Sequence, residues 1–427
     1  MDNKTFFTHS LGCKVNAYET EALATLLKEQ GYTRVDDPRS AKVIILNTCA
    51  VTQTASKKSR QHISSYREAN REAILVAMGC YSQIDAEKCL ERGADIVLGT
   101  GKRKEAVGLI EEFAKTGKKV VSVAKEVRKQ GYEEFGTAVL EEKQRAYLKV
   151  QDGCDSFCSY CYIPRLRGNS RSRDPREAVA EVTRLCELGY KEIVITGVHI
   201  GYYGRDLGDG SFGIADLLEA ILRKNPSLPR LRISSIEQGE LDIRFLNLLS
   251  AYPQIVSHFH VPLQSGSDAT LRQMGRRYDS ATYLQTIEKI REIRPEAAIT
   301  TDLIAGFPGE SEAEWEETLA TCEKARFAEV HVFPFSSRPG TPAAAMPNQV
   351  DSATKSKRVH AMLSLSKAMR TEYEKAFYGR KLPVLIEEKE GGYCLGHSEN
   401  YLLCRFRSEA SVGEIVEVVF GPDVAAD

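Results

Sequence analysis

Between residues 4 and 115, short apolar runs take turns with segments whose apolar positions recur at helical spacing. The runs are KTFFTH (4–9), VIILNT (43–48), ILVAMG (74–79) and DIVLG (95–99), and helical spacing covers about 15–30, 52–70, 84–92 and 103–115. Runs this short suit strands, and strands alternating with helices predict a parallel α/β sheet. Residues 116–144 lose the rhythm and are rich in Lys, Glu and Gly, as linkers are. A second series follows, with strands near 146–151, 191–196, 230–234, 257–261, 298–304 and 328–334 and helices at about 175–188, 214–224, 242–251, 279–293 and 311–324. Six β/α units fall short of the eight that close a barrel, so an open (β/α)6 partial TIM barrel is expected. A long helix over 352–378 comes next. LPVLIEE, GYCLGH, YLLCRF and EIVEVVFG then read as strands between Gly and polar turns, which predicts a small C-terminal antiparallel β-barrel. The expected divisions are 1–120, 121–144, 145–351, 352–379 and 380–427.

Composition narrows the function classes. A chain of 427 residues with 42% hydrophobic and 27% charged positions is globular and needs more than one core. A net charge of -1 gives no global attraction to nucleic acid or membrane, so a polyanion must be met by a local patch. The longest apolar runs are strand-sized and the first residues lack a signal-peptide core, so a cytoplasmic location without membrane contact is expected. Eleven cysteines in such a chain suggest metal or cluster binding rather than a disulfide framework.

Three of them, Cys154, Cys158 and Cys161, have the spacing C-x3-C-x2-C and follow the first strand of the partial barrel, where barrel loops carry chemistry. Structural zinc and ferredoxin clusters take four protein ligands, and the next cysteine, Cys186, lies far off in a helix. Three thiolates on a four-iron cluster leave one iron open to a substrate or cofactor. A zinc knuckle completed by a distant His, or three packed thiols, are the alternatives. The other strands end in Gly-rich or polar loops: TGVHIGYYG (196–204), SSIEQGE (234–240), PLQSGSD (262–268), AGFPGE (305–310) and PFSSRPGT (334–341). Loops of this kind on one rim point to a ligand.

Cys13, Cys49 and Cys80 each lie at the C-terminal end of a strand of the first sheet. Those ends share one edge, outside which ligands collect; three ordinary buried cysteines are the alternative. Cys89, Cys186, Cys322, Cys394 and Cys404 are expected to be buried thiols, and His199 and His260 structural histidines. GTGKRK (99–104) starts like a dinucleotide fingerprint but lacks the third glycine.

From end to end the chain resembles the radical S-adenosylmethionine (SAM) methylthiotransferases. The resemblance is carried by GCDSFCSYCYIPRLRG (153–168), HVPLQSGSD (260–268), MGRRY (274–278) and FPFSSRPGT (333–341). It implies a TRAM-type C-terminal barrel and two [4Fe-4S] clusters, one on Cys154, Cys158 and Cys161, the other on Cys13, Cys49 and Cys80. It also implies SAM contacts from Gly197, Gln264, Ser265, Ile304 and Gly306, an electron donor such as flavodoxin or ferredoxin, and a monomer. The implied reaction replaces a C-H bond with C-S-CH3: one SAM methylates a cluster-held sulfur and another provides the radical that removes the hydrogen.

SLGCKVNAYETE (10–21) and RGNSRSR (167–173) look most like the branch acting on N6-threonylcarbamoyladenosine beside the tRNA anticodon. Isopentenyladenosine in tRNA and an aspartate of a ribosomal protein are the other branch substrates, and a cluster- or zinc-bearing RNA-binding module is the non-enzymatic alternative. Arg165, Arg167, Arg171 and Arg173 follow the cysteine loop and suit contacts to phosphates and bases of the anticodon stem-loop. The stretch 355–381 carries eight Lys/Arg against two Glu, whereas from Arg380 onward five Lys/Arg face nine Asp/Glu. RNA contacts of the last barrel are therefore expected on one face, around Asn400, Tyr401, Arg405 and Arg407.

Overall fold

A computed structural model describes residues 4–136, 138 and 144–426. Part of the expected linker, 137 and 139–143, lies outside the described residues, as do 1–3 and 427.

The N-terminal strands are β1 (Thr5–Ser10), β2 (Thr33–Arg34), β3 (Val43–Thr48), β4 (Ile74–Gly79), β5 (Ile96–Leu98) and β6 (Val120–Ser122), paired in the order β2-β1-β3-β4-β5-β6. Every pairing is parallel. The run VIIL is unbroken because β3 is buried on both faces. Val43 and Ile45 pack with Leu23 and Leu27 of helix α1 (Lys14–Glu29), while Ile44 and Leu46 pack with Ile63 on the other side. The edge strands β2 and β6 are too short to leave a pattern in the sequence.

The central domain opens with β7 (Arg145–Lys149) and a small hairpin, β8 (Gln151–Asp152) with β9 (Arg171–Ser172). It continues through β10 (Glu192–Thr196), β11 (Arg230–Ile233), β12 (His258–His260), β13 (Ala298–Ala305) and β14 (Glu329–Pro334). Two parallel ladders, β11-β10-β7 and β12-β13-β14, join by a single bridge between Leu231 and Ile255, which gives an open partial barrel. Alternation along the strands sorts its residues. Leu148, Ile193, Ile195, Leu231, Ile233, Phe259, Ile299, Leu303 and Val330 pack outward with the helices in the largest core. The intervening Arg145, Lys149, Glu192, Arg230, Arg232, His258, His260, Asp302 and His331 face a polar lumen.

The long helix Ser352–Lys375 packs on β14. It leads to the antiparallel sheet of β15 (Lys381–Glu390), β16 (Tyr393–Ser398), β17 (Leu403–Arg407) and β18 (Ile415–Val419), in the order β17-β16-β15-β18. This last domain docks where the barrel strands begin: Arg145 pairs with Glu387, Arg230 donates to the carbonyl of Pro383, and Arg232 donates to that of Glu399. Among the described residues no helix is long and apolar enough to cross a membrane.

A buried charge network joins the first domain to the second. Glu19 of α1 is fully buried and pairs with Arg103, with Lys149 of β7 at 2.6 Å and with Arg167 at 2.9 Å. Asp152 of β8 receives Lys149 at 2.7 Å, Arg167 at 2.9 Å and Arg171 at 2.9 Å. Arg173 pairs with Glu134 and Glu181. These pairs overturn one expectation: Arg167, Arg171 and Arg173 are buried and committed to carboxylates, so they do not face RNA. Their charges hold the cysteine loop to its neighbours instead.

Lower down, burial alone would raise the Glu192 carboxyl, but Arg232, Arg145 and Arg230 outweigh it and hold the group at about 2 against an ordinary 4.5. A carboxyl lowered in the folded state stabilises the fold above its unfolded pKa, and that stability is lost as pH falls through the folded value. The melting temperature should therefore drop steeply between about pH 4.5 and 2. Glu192→Gln should melt lower at neutral pH and show a shallower decline over that window in calorimetry. Separately, Glu19→Gln takes one carboxylate partner from each of three buried cations, Arg103, Lys149 and Arg167, leaving each with another, and should cost roughly 3–5 kcal/mol in chemical denaturation.

Candidate active site

Each cysteine of the first domain follows a parallel strand. Cys13 comes after β1 and stands at the N-terminus of α1, Cys49 directly follows β3, and Cys80 directly follows β4. The residue before Cys13 is Gly12, with φ +99°, and a Cβ there would lie 2.9 Å from the Cys49 Sγ, so only glycine lets these loops close together. Asn16 of α1 ties them. It donates to the carbonyls of Leu11 (2.7 Å) and Thr48 (3.2 Å), while its side-chain oxygen accepts from Arg167 (2.7 Å). Ser59 fixes the Cys49 backbone from the following helix, donating to its carbonyl at 2.9 Å and accepting from its N-H at 3.0 Å.

The three thiols act on one another electrically. Burial pushes Cys80 up to about 12, the Arg167 guanidinium opposes it, and Cys49 and Cys13 add to the rise. Cys49 is likewise raised, first by burial. Thiols crowded on one edge with Arg167 as the nearby cation need further positive charge to ionise together. Iron ions supply such charge, so this donor set fits an iron-sulfur cluster.

The second set lies on the loop after β8. The Cys154 N-H donates to the Gly168 carbonyl (3.0 Å), and the Cys161 N-H to the Cys158 carbonyl (2.9 Å). Burial would raise the Cys154 thiol, but hydrogen bonds with His199 (3.4 Å) and Ser156 (3.4 Å) reverse the shift and leave it lowered. Burial disfavours charge on His199, yet its bonds to Cys154 and Glu240 lift it to about 10. His199 is thus more than the structural histidine expected: it supports a thiolate. Arg276, within the MGRRY segment, donates to Cys158 Sγ at 3.5 Å and pairs with Glu237. Cys161 is pushed up to about 12 by burial first. Among the described residues, no three His, Cys, Asp or Glu side chains close round a point as the ligands of one metal ion do.

The two sets meet. A cavity of about 480 Å3 is walled by Cys13 and Cys49 from the first domain and by Cys161, Tyr160, Gln264, Asp302, Ile304, Phe333 and Phe335 from the second. Gln264 has φ +68°, a conformation rare for a residue with a side chain and one that clusters at functional sites. A larger cavity, about 580 Å3, lies beside the long helix at Arg291 and Tyr373 and is lined by no cysteine.

Of the expected SAM contacts, Gln264 and Ile304 line the shared cavity and three do not. Ser265 is fully buried, with its hydroxyl 3.2 Å from that of Thr318. Gly306 turns its N-H to Glu310 at 2.7 Å. Gly197 sits against Gln151 and Ile200. Sequence reasoning missed Asn16, Asp302, Phe333 and Arg276 as individual residues, although Asn16, Arg276 and Phe333 lie within SLGCKVNAYETE, MGRRY and FPFSSRPGT.

Among the expected RNA contacts, Arg165 is exposed and donates to the Gly340 carbonyl. Arg405 and Arg407 are exposed and flank the Tyr393 ring at 4.2 and 4.9 Å. Asn400 and Tyr401 are turned inward, contrary to expectation. Asn400 is buried between Ser398 and the Tyr373 hydroxyl, and Tyr401 stacks on His258 beneath the barrel.

Residues 148–322 match the Radical SAM superfamily and residues 5–99 match Uncharacterized protein family UPF0004. The chain is 40% identical over 417 residues to Threonylcarbamoyladenosine tRNA methylthiotransferase MtaB of Bacillus subtilis, covering 96% of this chain and 92% of that one. It is 32% identical over 429 residues to tRNA-2-methylthio-N(6)-dimethylallyladenosine synthase of the same organism, covering 98% and 83%. In fold it is similar to the radical S-adenosylmethionine methyltransferase TsrM of Kitasatospora setae, with a TM-score of 0.60, 14% identity, and coverage of 80% of this chain and 74% of that one. A [4Fe-4S] cluster and SAM follow from the superfamily. With relatives of this identity matched over nearly their whole length, the chain belongs to the radical SAM methylthiotransferase family.

Proposed function

We propose that the protein methylthiolates tRNA, converting N6-threonylcarbamoyladenosine on the 3′ side of the anticodon to its 2-methylthio derivative. The observation that carries this reading is the cavity walled by Cys13 and Cys49 on one side and Cys161 on the other. A reaction that removes a hydrogen and installs a sulfur on the same carbon needs both reagents at one place. Relatives named for threonylcarbamoyladenosine are 33–40% identical, against 31–33% for those named for the dimethylallyl nucleoside, which supports the choice of branch.

Cys154, Cys158 and Cys161 would hold one [4Fe-4S] cluster, and Cys13, Cys49 and Cys80 a second. When bound, these groups and SAM supply one-electron C-H activation, a sulfur and a methyl group. The chain's own residues do the rest. His199 and Arg276 bring positive charge to the Cys154 and Cys158 thiolates. Tyr160, Phe333 and Phe335 give the cavity apolar walls that limit water around a reactive species. Gln264 and Ile304 are the wall residues proposed to touch SAM. Exposed Arg165, Arg405 and Arg407 are proposed to meet the RNA backbone, and an external carrier of the flavodoxin or ferredoxin kind to deliver the electron.

Anaerobically reconstituted protein should contain about eight irons. Replacing Cys154, Cys158 and Cys161 together by Ala, or Cys13, Cys49 and Cys80 together, should each leave about half of them; a parent value near four contradicts the second cluster. In a deletion strain, mass spectrometry of tRNA nucleosides should show loss of 2-methylthio-N6-threonylcarbamoyladenosine. Loss of the isopentenyl-type methylthio nucleoside alone refutes the substrate proposed.

A further inference from the structure

The turn between Cys154 and Cys158 brings an aromatic ring to the surface. Phe157 is 51% exposed and has φ +49°, a left-handed conformation disfavoured for a bulky side chain. A lone exposed ring is ordinary, but a ring held this way beside cluster ligands points to a use. Three exposed arginines flank the turn. The Arg128 guanidinium lies 5.2 Å from the Phe157 ring. Its own turn, Val127–Lys129, sits on the end of the cysteine loop, since a Cβ on Gly168 would lie 2.1 Å from the Val127 carbonyl oxygen. The Arg205 guanidinium lies 3.8 Å from the ring of Tyr202, whose hydroxyl accepts from Ser156 Oγ at 3.1 Å. Arg205 and Arg277 line a cavity of about 200 Å3 together with Ser156 and Cys158.

Among the described residues none of these three arginines pairs with a carboxylate, because the carboxylates nearby are taken. Glu237 pairs with Arg276, Glu240 with His199 at 3.1 Å and Glu126 with Lys129, and Asp155 accepts from the Ser170 N-H at 3.1 Å. The surface is thus positive around an apolar point. It is also close to the ligands. Tyr202 stacks on His199 with ring centres 3.8 Å apart, and His199 Nδ1 is 3.4 Å from Cys154 Sγ, so two rings separate the Arg205 guanidinium from that thiolate. The 200 Å3 cavity shares no lining residue with the 480 Å3 cavity that seats the substrate in the functional reading, so it is a second approach to the same cysteine set.

An RNA base must enter the substrate cavity, whereas an electron needs only a short path to the ligands. We propose that Phe157, Arg128, Arg205 and Arg277 form the docking surface for an acidic one-electron carrier. The carrier gives up one electron and is oxidised by one, the cluster held by Cys154, Cys158 and Cys161 is reduced by one, and no bond forms or breaks in the transfer. Unpaired arginines facing an acidic partner speed its encounter and set its orientation, and Phe157 gives the centre an apolar contact. The inference rests on the functional reading above and names the surface that its electron donor uses.

The test follows anaerobic reduction of reconstituted holoprotein by a fully reduced acidic flavodoxin in stopped-flow absorbance, with dithionite as a chemical reductant for comparison, and measures binding of the oxidised flavodoxin by calorimetry. The triple variant Arg128→Glu, Arg205→Glu, Arg277→Glu should bind flavodoxin more weakly and be reduced by it on the order of tenfold more slowly at low salt, a difference that shrinks as salt is raised. Its iron content, its reduction by dithionite and its binding of an anticodon stem-loop RNA should match wild type. Lys at all three positions keeps the charge and should keep the flavodoxin rate. Phe157→Asn, a residue that tolerates the left-handed backbone, should weaken flavodoxin binding and leave its salt dependence intact. Wild-type flavodoxin binding and reduction in the Glu variant overturn the inference. So does loss of RNA binding in place of flavodoxin binding, which marks an RNA contact, or equal slowing with dithionite, which marks a disturbed cysteine loop. The reduction experiment contains no RNA; absence of methylthio product from the threonylcarbamoyladenosine stem-loop with dithionite as electron source would instead overturn the functional reading.

Discussion

The arrangement of this protein depends on a set of charges kept out of water. Glu19 and Asp152 lie between Arg103, Lys149, Arg167 and Arg171, with all of these side chains essentially inaccessible. Isolated charges are costly to bury, and such a network persists only when every member has close partners. Glu19 belongs to the helix that starts at Cys13, and Arg167 to the turn that follows Cys161. Their pairing fixes how the two cysteine sets face each other across the domain junction.

The same logic shapes the barrel. Its outward residues form a conventional apolar core with the helices, so its inward residues are free to be polar, and they are. Glu192 gathers three arginines at the floor, where the C-terminal domain closes the lumen through Glu387, His397 and Tyr401. Toward the rim the lining turns apolar at Ile304, Phe333 and Phe335, beside Cys161. A charged floor, an apolar rim and cysteines on both sides give one chamber different chemistries at different depths.

Much of this was legible in the sequence. VIILNT and ILVAMG are strands because both faces are covered, and the six barrel strands lie within one or two residues of their expected bounds. The cysteines declared themselves by position, three at strand ends and three in one loop. What the sequence hid was direction. RGNSRSR reads as a basic loop, but Arg167, Arg171 and Arg173 find Glu19, Asp152, Glu134 and Glu181, carboxylates that no local pattern connects to them. One signal was available: Asn16, Glu19 and Thr20 interrupt the apolar face of an otherwise amphipathic helix, and polar residues there need buried partners. Asn400 and Tyr401 were misjudged because the four-residue connection between β16 and β17 carries no mark of which side another domain will cover.

The central claim is that two iron-sulfur clusters face one cavity. It is tested most directly by electron paramagnetic resonance of the fully reduced holoprotein, set against the two variants that each retain one cysteine set. Two paramagnetic clusters at one chamber must feel each other, so the holoprotein spectrum should show splitting or broadening and faster relaxation absent from both variants. A holoprotein spectrum equal to the plain sum of the two variant spectra, with unchanged relaxation, would contradict the account.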